Sequence, residues 1–253
     1  MKRLILWMVI CFLLQPTYTN SQQIKAQQAN GTVRIVFRHV VGTQPLVLND
    51  SSYINPFGES FSLRKFKYYI SNVGFFTAGK IVVKNNYYLV NQGIDSSMLL
   101  NLQLPENSYD SICFLVGVDS LMNTAGAQSG ALDPLNDMYW TWQSGYIMQK
   151  LEGSSPQSNA VNNKMEYHLG GYQGKNKAQR LVTLKFNENE LLQVKKGKPS
   201  SIIIEVDINK FWQGNLLVKI SETPVCNTPG LLSSMLADNF CSMFSLKNIK
   251  SSQ

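Results

Sequence analysis

Apolar and polar residues alternate through most of this 253-residue chain, in short runs separated by Gly, Asn, Asp and Pro. Alternation of that period places successive side chains on opposite faces of an extended strand, so such runs build half-buried sheets. TVRIVFRHVV (32–41) is rich in β-branched residues and puts Val33, Ile35, Phe37 and His39 on one side. LRKFKYYISNVGFF (63–76), KIVVKNNYYLVN (80–91), MLLNLQL (98–104) and SICFLVGV (111–118) follow, and MYWTWQSGYIMQKLEG (138–153), KMEYHLG, RLVTLKF, SIIIEVDI and GNLLVKI complete the series. This spacing predicts an all-β chain, a β-sandwich of many short, mostly antiparallel strands with long loops.

Helix signals are few. Asn187 is placed to cap ENELLQV, a segment of barely two turns. TPGLLSSMLADNFCSMF (228–244) reads as a short C-terminal helix across one end of the sandwich, with Thr228 as cap and Pro229 at the first helical position. The longest loops, 122–137 and 153–164, flank the aromatic block at 138–153. Long ordered loops often carry function.

At the N-terminus, Lys2 and Arg3 precede an apolar run from Leu4 to Leu14, then Gln15-Pro16 and small or polar residues to Ser21. This pattern predicts a signal peptide over residues 1–21, cleaved before Gln22, and an exported mature domain over 22–253. Cys11 lies within the apolar run without the small residues that would precede a lipid-anchoring cysteine. No later segment approaches the ~20 apolar residues of a membrane-spanning helix. Removing Lys2 and Arg3 from 23 basic residues leaves 21 against 16 acidic ones. The lysines are scattered, without the coherent stripe or docking motif of a nucleic-acid reader. Processing also leaves Cys113, Cys226 and Cys241. Cys113, in SICFLVGV, reads as a small buried hydrophobe. Cys226, just before the C-terminal helix, and Cys241, near its end, are the pair that an oxidising compartment would join.

Chemistry is concentrated in few residues. His39 and His168 are the whole imidazole supply, and imidazole suits copper, zinc, nickel and iron. A four-ligand structural zinc site lacks its Cys/His spacing. Trp140 and Trp142 share a face if MYWTW is one strand, with Met138 and Ser144 beside them. The bland readings are a core histidine and ordinary aromatic packing. Asp119, Asp133 and Asp137 offer oxygen ligands to calcium, but their spacing is not that of an EF-hand, and turn capping accounts for them. A hydrolase built on Glu152 or Asp133 lacks a complete acid–base constellation. No serine elbow, P-loop or dinucleotide fingerprint occurs.

The segments FRHVVGTQPLVLND, YINPFGESFSLRKFKYYISNVGF, YYLVN, FLVGVDSLMNTAGAQSGALDPLNDMYWTWQSGYIMQKLEG and YHLGGYQG, taken in order, resemble the MbnP-like copper-binding proteins. The resemblance is dense over residues 33–174 and thinner to about residue 220. It implies an exported β-sandwich that holds one copper ion among histidines and a tryptophan oxidised to kynurenine by a di-haem peroxidase-like partner. Carried over by motif, the histidines are His39 and His168, and the oxidised indole is Trp140 or Trp142. Two imidazoles and an aromatic-derived amine make a low-coordinate site, which favours Cu(I), and the thioethers of Met138 and Met148 are soft donors or plain packing. The function expected is copper acquisition or handling outside the cytoplasm, without catalytic turnover, although a copper site that cycles has redox capacity. The alternative is a β-sandwich interaction module of the cell envelope that has lost the metal, its aromatic strand docking a protein or glycan.

Overall fold

The computed structural model describes residues 29–49, 52–126, 128–141, 143–187 and 190–251. The expected signal peptide with Cys11, and Trp142, lie outside the described residues. The strands are β1 (Asn30–Val41), β2 (Gln44–Pro45), β3 (Tyr53–Ile54), β4 (Ser60–Thr77), β5 (Lys80–Asn91), β6 (Leu99–Pro105), β7 (Asn107–Tyr109) and β8 (Ser111–Val116). After α1 (Ser120–Thr124) come β9 (Tyr139–Thr141), β10 (Gly145–Ser154), β11 (Lys164–Gly170), β12 (Arg180–Lys185), β13 (Leu192–Val194) and β14 (Ser200–Asp207). The chain closes with α2 (Asn209–Trp212), β15 (Val225–Cys226), α3 (Leu231–Ser242) and β16 (Phe244–Lys250).

Two sheets enclose the core, as the alternation requires. The smaller has the order β16-β14-β1-β2, with β6 also on β1; the larger runs β12-β8-β4-β10-β11-β15, with β3 and β5 on β4 and β9 on β10. Pairing is antiparallel except for β1–β14 and β11–β15. Val33, Ile35, Phe37 and His39 are all buried on the inner side of β1. The Phe37 ring meets Tyr68 of β4 edge-on at 6.0 Å and Phe114 of β8 at 6.1 Å, so these inner faces are one packed layer. Helix α3 packs against both β11 and β12, near opposite ends of the larger sheet. Its Phe240 reaches Phe66 at 5.7 Å and Tyr68 at 5.6 Å. The helix thus fills the gap left where the larger sheet curls.

Four local expectations are corrected. MYWTWQSGYIMQKLEG is a hairpin, not one strand: Thr141 pairs with Gly145 across a turn, and Gly145 has the positive φ of 73° that glycine adopts without steric cost. GNLLVKI is not a strand. Its backbone bonds go instead to the Trp212 carbonyl from Val218 and to the Glu59 carboxylate from Ile220. In ENELLQV, the stretch Leu192–Val194 pairs with β7 as a strand, because Leu192 and Val194 alternate into the core. Helix α3 begins at Leu231, its first i to i−4 bond running from Ser234 to Gly230, so Thr228 and Pro229 precede it rather than cap it. Cys113, Cys226 and Cys241 are all free thiols, and Cys113 is buried as its apolar setting suggests.

Candidate metal centre

His39 lies near the end of β1 and is 4% exposed. Its Nδ1 is 2.5 Å from Gln92 Oε1 and its Nε2 is 2.9 Å from the Tyr68 hydroxyl. The Gln92 amide nitrogen donates to the Leu46 carbonyl at 2.8 Å, which orients its oxygen toward the imidazole. An amide oxygen only accepts, so Nδ1 carries the proton and Nε2 accepts from Tyr68. The Phe66 ring stands edge-on at 4.8 Å. Burial lowers the His39 pKa to about 4, against a smaller upward pull from Gln92, so the ring is neutral at pH 7. Both nitrogens are committed, and the residue is a satisfied core histidine.

His168 occupies the other face of the larger sheet. Register aligns Lys67 of β4, Lys150 of β10 and His168 of β11 across three strands, and aligns Phe66, Leu151 and Tyr167 beside them. Neighbouring positions on a strand face opposite ways. Phe66 touches His39 from the inner side, so Lys67, Lys150 and His168 point outward. A full layer of backbone separates the two imidazoles. One ion would need both nitrogens within about 2 Å of itself, and this arrangement does not bring them together.

The outward face carries an ion network. His168 Nε2 lies 2.8 Å from Glu152 Oε1, and Glu152 Oε2 accepts from Arg64 at 2.7 Å. Lys65 bonds Asp137 at 2.7 Å, and Lys150 lies 3.0 Å from the same carboxylate and 3.7 Å from Glu152. The Lys150 side chain is only 2% exposed, which is tolerable because it also donates to the Asp137 carbonyl. Burial works to raise the pKa of both Glu152 and Asp137. The His168 bond and the charges of Lys65 and Lys150 outweigh it at Glu152, and bonds from Lys65 and Lys150 do so at Asp137, leaving each at about 2. The loop carrying Asp137 is thereby pinned to the sheet.

Trp140 lies over Gly170, on the face of β11 that carries His168. Gly170 sits two residues beyond His168 on the same face, and the Trp140 indole covers it: a Cβ there would stand 2.9 Å from Trp140 Cη2 and closer still to Cζ3. Met138 and Met148 are core residues, the Met148 sulfur accepting from the Val118 amide at 3.2 Å. Asp119 caps α1 by accepting from Met122 and also receives the Tyr87 hydroxyl. Asp133 accepts from the Leu135 amide at 2.9 Å. Among the described residues, no group of three or more His, Cys, Asp or Glu side chains is placed to share an ion. The network residues Arg64, Lys65, Lys67 and Lys150 had a sequence signal in LRKFKYY and MQKLEG, where charges alternate with apolar residues.

No curated protein matches the chain significantly. Among solved structures, the fold is similar to MbnP from Methylosinus trichosporium, with a TM-score of 0.57 at 12% identity, covering 88% of this chain and 99% of that one. The family model for MbnP matches residues 30–228, most of the chain, and the chain therefore belongs to the MbnP family.

Proposed function

We propose that this is an exported protein that binds one copper ion, as Cu(I), in copper acquisition or handling, with no catalytic turnover. The observation that carries the reading is the juxtaposition of His168, held at Nε2 by Glu152, with the Trp140 ring on the same face. Metal-binding histidines commonly give their second ring nitrogen to a carboxylate, which fixes the tautomer and raises ligand basicity. Glu152 does this for His168 and leaves Nδ1 as the donor. Unmodified Trp140 offers no lone pair. Its oxidation to kynurenine by a di-haem peroxidase-like partner supplies an aromatic amine beside the imidazole, with Trp142 as the neighbouring candidate. Three cations, Arg64, Lys65 and Lys150, share two carboxylates, Asp137 and Glu152, and a fourth, Lys67, stands on the same face bonded to the Asn136 carbonyl. That excess opposes a dication more than a monocation, in keeping with Cu(I). His39 is left out of the site.

The test is a competitive Cu(I) titration of protein from its native host, with mass spectrometry of the Trp140 peptide. One copper per chain is expected, lost by about 100-fold in affinity in His168→Ala and by about 10–100-fold in Glu152→Gln, with an oxygen-bearing product on the tryptophan. Equal titration of wild type and His168→Ala removes this centre. A second reading, an interaction module of the cell envelope without metal, is favoured by the commitment of His39 to the core. Folded wild-type protein that takes up no Cu(I) establishes it.

A further inference from the structure

We propose that the cavity above Lys67 is a second binding site, independent of copper, for the carboxylate of a small ligand with an apolar tail. The cavity, about 360 Å³, lies between β4–β5 and the loop over 130–137, and is lined by Lys67, Asn91, Ile94, Ser97, Leu135 and Asn136 among others. That volume is in the range of small-molecule sites, roughly 300–1,000 Å³.

Charge distribution selects the ligand. Glu152 is shared by Arg64, Lys65 and Lys150, and Asp137 by Lys65 and Lys150. Lys67 is the cation without a share: among the described residues its ammonium donates to one acceptor, the uncharged Asn136 carbonyl, at 3.0 Å. An ammonium has three N–H groups, so donors remain for a ligand at the cavity wall. Burial lowers the Lys67 pKa, and Lys150 and Lys65 add to this against the opposing pull of Asp137 and Glu152. A carboxylate in the cavity supplies a counter-ion. Asp137 also lines the cavity, but its charge is balanced by Lys65 and Lys150. Ile94 and Leu135, exposed by 52% and 92%, form an apolar rim suited to an aliphatic tail.

The source is either a free carboxylic acid or the C-terminus of a peptide. Amide chemical shifts of copper-free, ¹⁵N-labelled protein would be followed on titration with 4-methylvalerate, with acetyl-Gly-Gly-Leu, and with the C-terminal amide of each. Saturable shifts around Lys67, Ile94 and Leu135 are expected for the acids at about millimolar Kd, and at least tenfold weaker for the amides. The tighter of the two acids identifies the source. Lys67→Gln should weaken the acids at least tenfold. Leu135→Glu, at a side chain too exposed to affect folding, should do the same by placing a like charge at the rim. Shifts equal for acid and amide, an unchanged affinity in folded Lys67→Gln or in Leu135→Glu, or no saturable shift overturns the proposal. Copper-free protein keeps these outcomes separate from the fate of the His168 reading.

Discussion

Replacing His39 by leucine separates a core histidine from a metal ligand, because the two roles predict opposite results. In the fold its pKa is about 4, against 6.5 for the free side chain. The fold holds the neutral ring, so the unfolded chain binds the extra proton between these values and stability falls as pH drops from about 6.5 to about 4. The gap of 2.5 units, at about 1.36 kcal/mol each, makes the loss on the order of 3 kcal/mol. Glu152 and Asp137 have the opposite kind of shift, depressed carboxyls whose contribution is lost only as pH falls toward about 2, in a lower window. In His39→Leu, the Gln92 oxygen and Tyr68 hydroxyl lose their partner at roughly 1–3 kcal/mol each, partly offset by leucine's apolar burial. We expect stability near pH 7 to fall by about 2–4 kcal/mol, and the slope between about pH 6.5 and 4 to flatten. Urea unfolding followed by tryptophan fluorescence, repeated across that range, measures both. A variant that keeps the wild-type slope refutes the assignment, as does one that loses Cu(I) with its stability intact.

Two further substitutions probe the scaffold around the site. Gly170→Ala drives a methyl group into the Trp140 ring and should cost about 1–3 kcal/mol with a shift in tryptophan emission; an unchanged urea midpoint and spectrum would place the indole elsewhere. Glu59→Ala removes the carboxylate that accepts from Ile220 and Ser221 amides and from Asn55, and should cost about 2–4 kcal/mol by leaving buried donors unpaired, a loss that a midpoint shift under 0.5 kcal/mol equivalent, about the scale of neutral surface changes, would contradict.

Much of the fold was legible because period-2 alternation is a local signal. The runs at 32–41, 63–76, 80–91 and 111–118 became strands, β1 with the alternating buried face its pattern assigns, whereas in β5 only Val90 is buried and Ile81 and Val83 stay exposed. What failed depended on partners far along the chain. GNLLVKI has strand-like alternation, with Val218 and Ile220 buried, yet its backbone is claimed by Glu59, more than 150 residues away. ENELLQV has helix-forming residues, but a strand at Asn107–Tyr109 captures Leu192–Val194. The turn inside MYWTWQSGY rests on Gly145, a residue that also fits a continuous strand until Asn123 and Tyr172 close over it.

The separation of the two histidines, by contrast, was written in their own strands. In VRIVFRH, His39 falls in phase with Val33, Ile35 and Phe37, the buried set. In KMEYHLG, His168 falls in phase with Lys164 and Glu166 and out of phase with Met165, Tyr167 and Leu169, which are buried. One imidazole thus belongs to an apolar face and the other to a polar face, and no packing of two sheets over one core lets both face the same ion without turning one strand over. Such a flip would expose Met165, Tyr167 and Leu169, at roughly 1.5–3 kcal/mol for each large apolar side chain, more than the marginal stability of a domain can absorb alongside the buried charges it would create. Hydrophobic phase therefore decides which histidine joins the core and which faces away from it. It puts His168 on the polar face, bonded to Glu152, with the Trp140 ring over Gly170 on that same face.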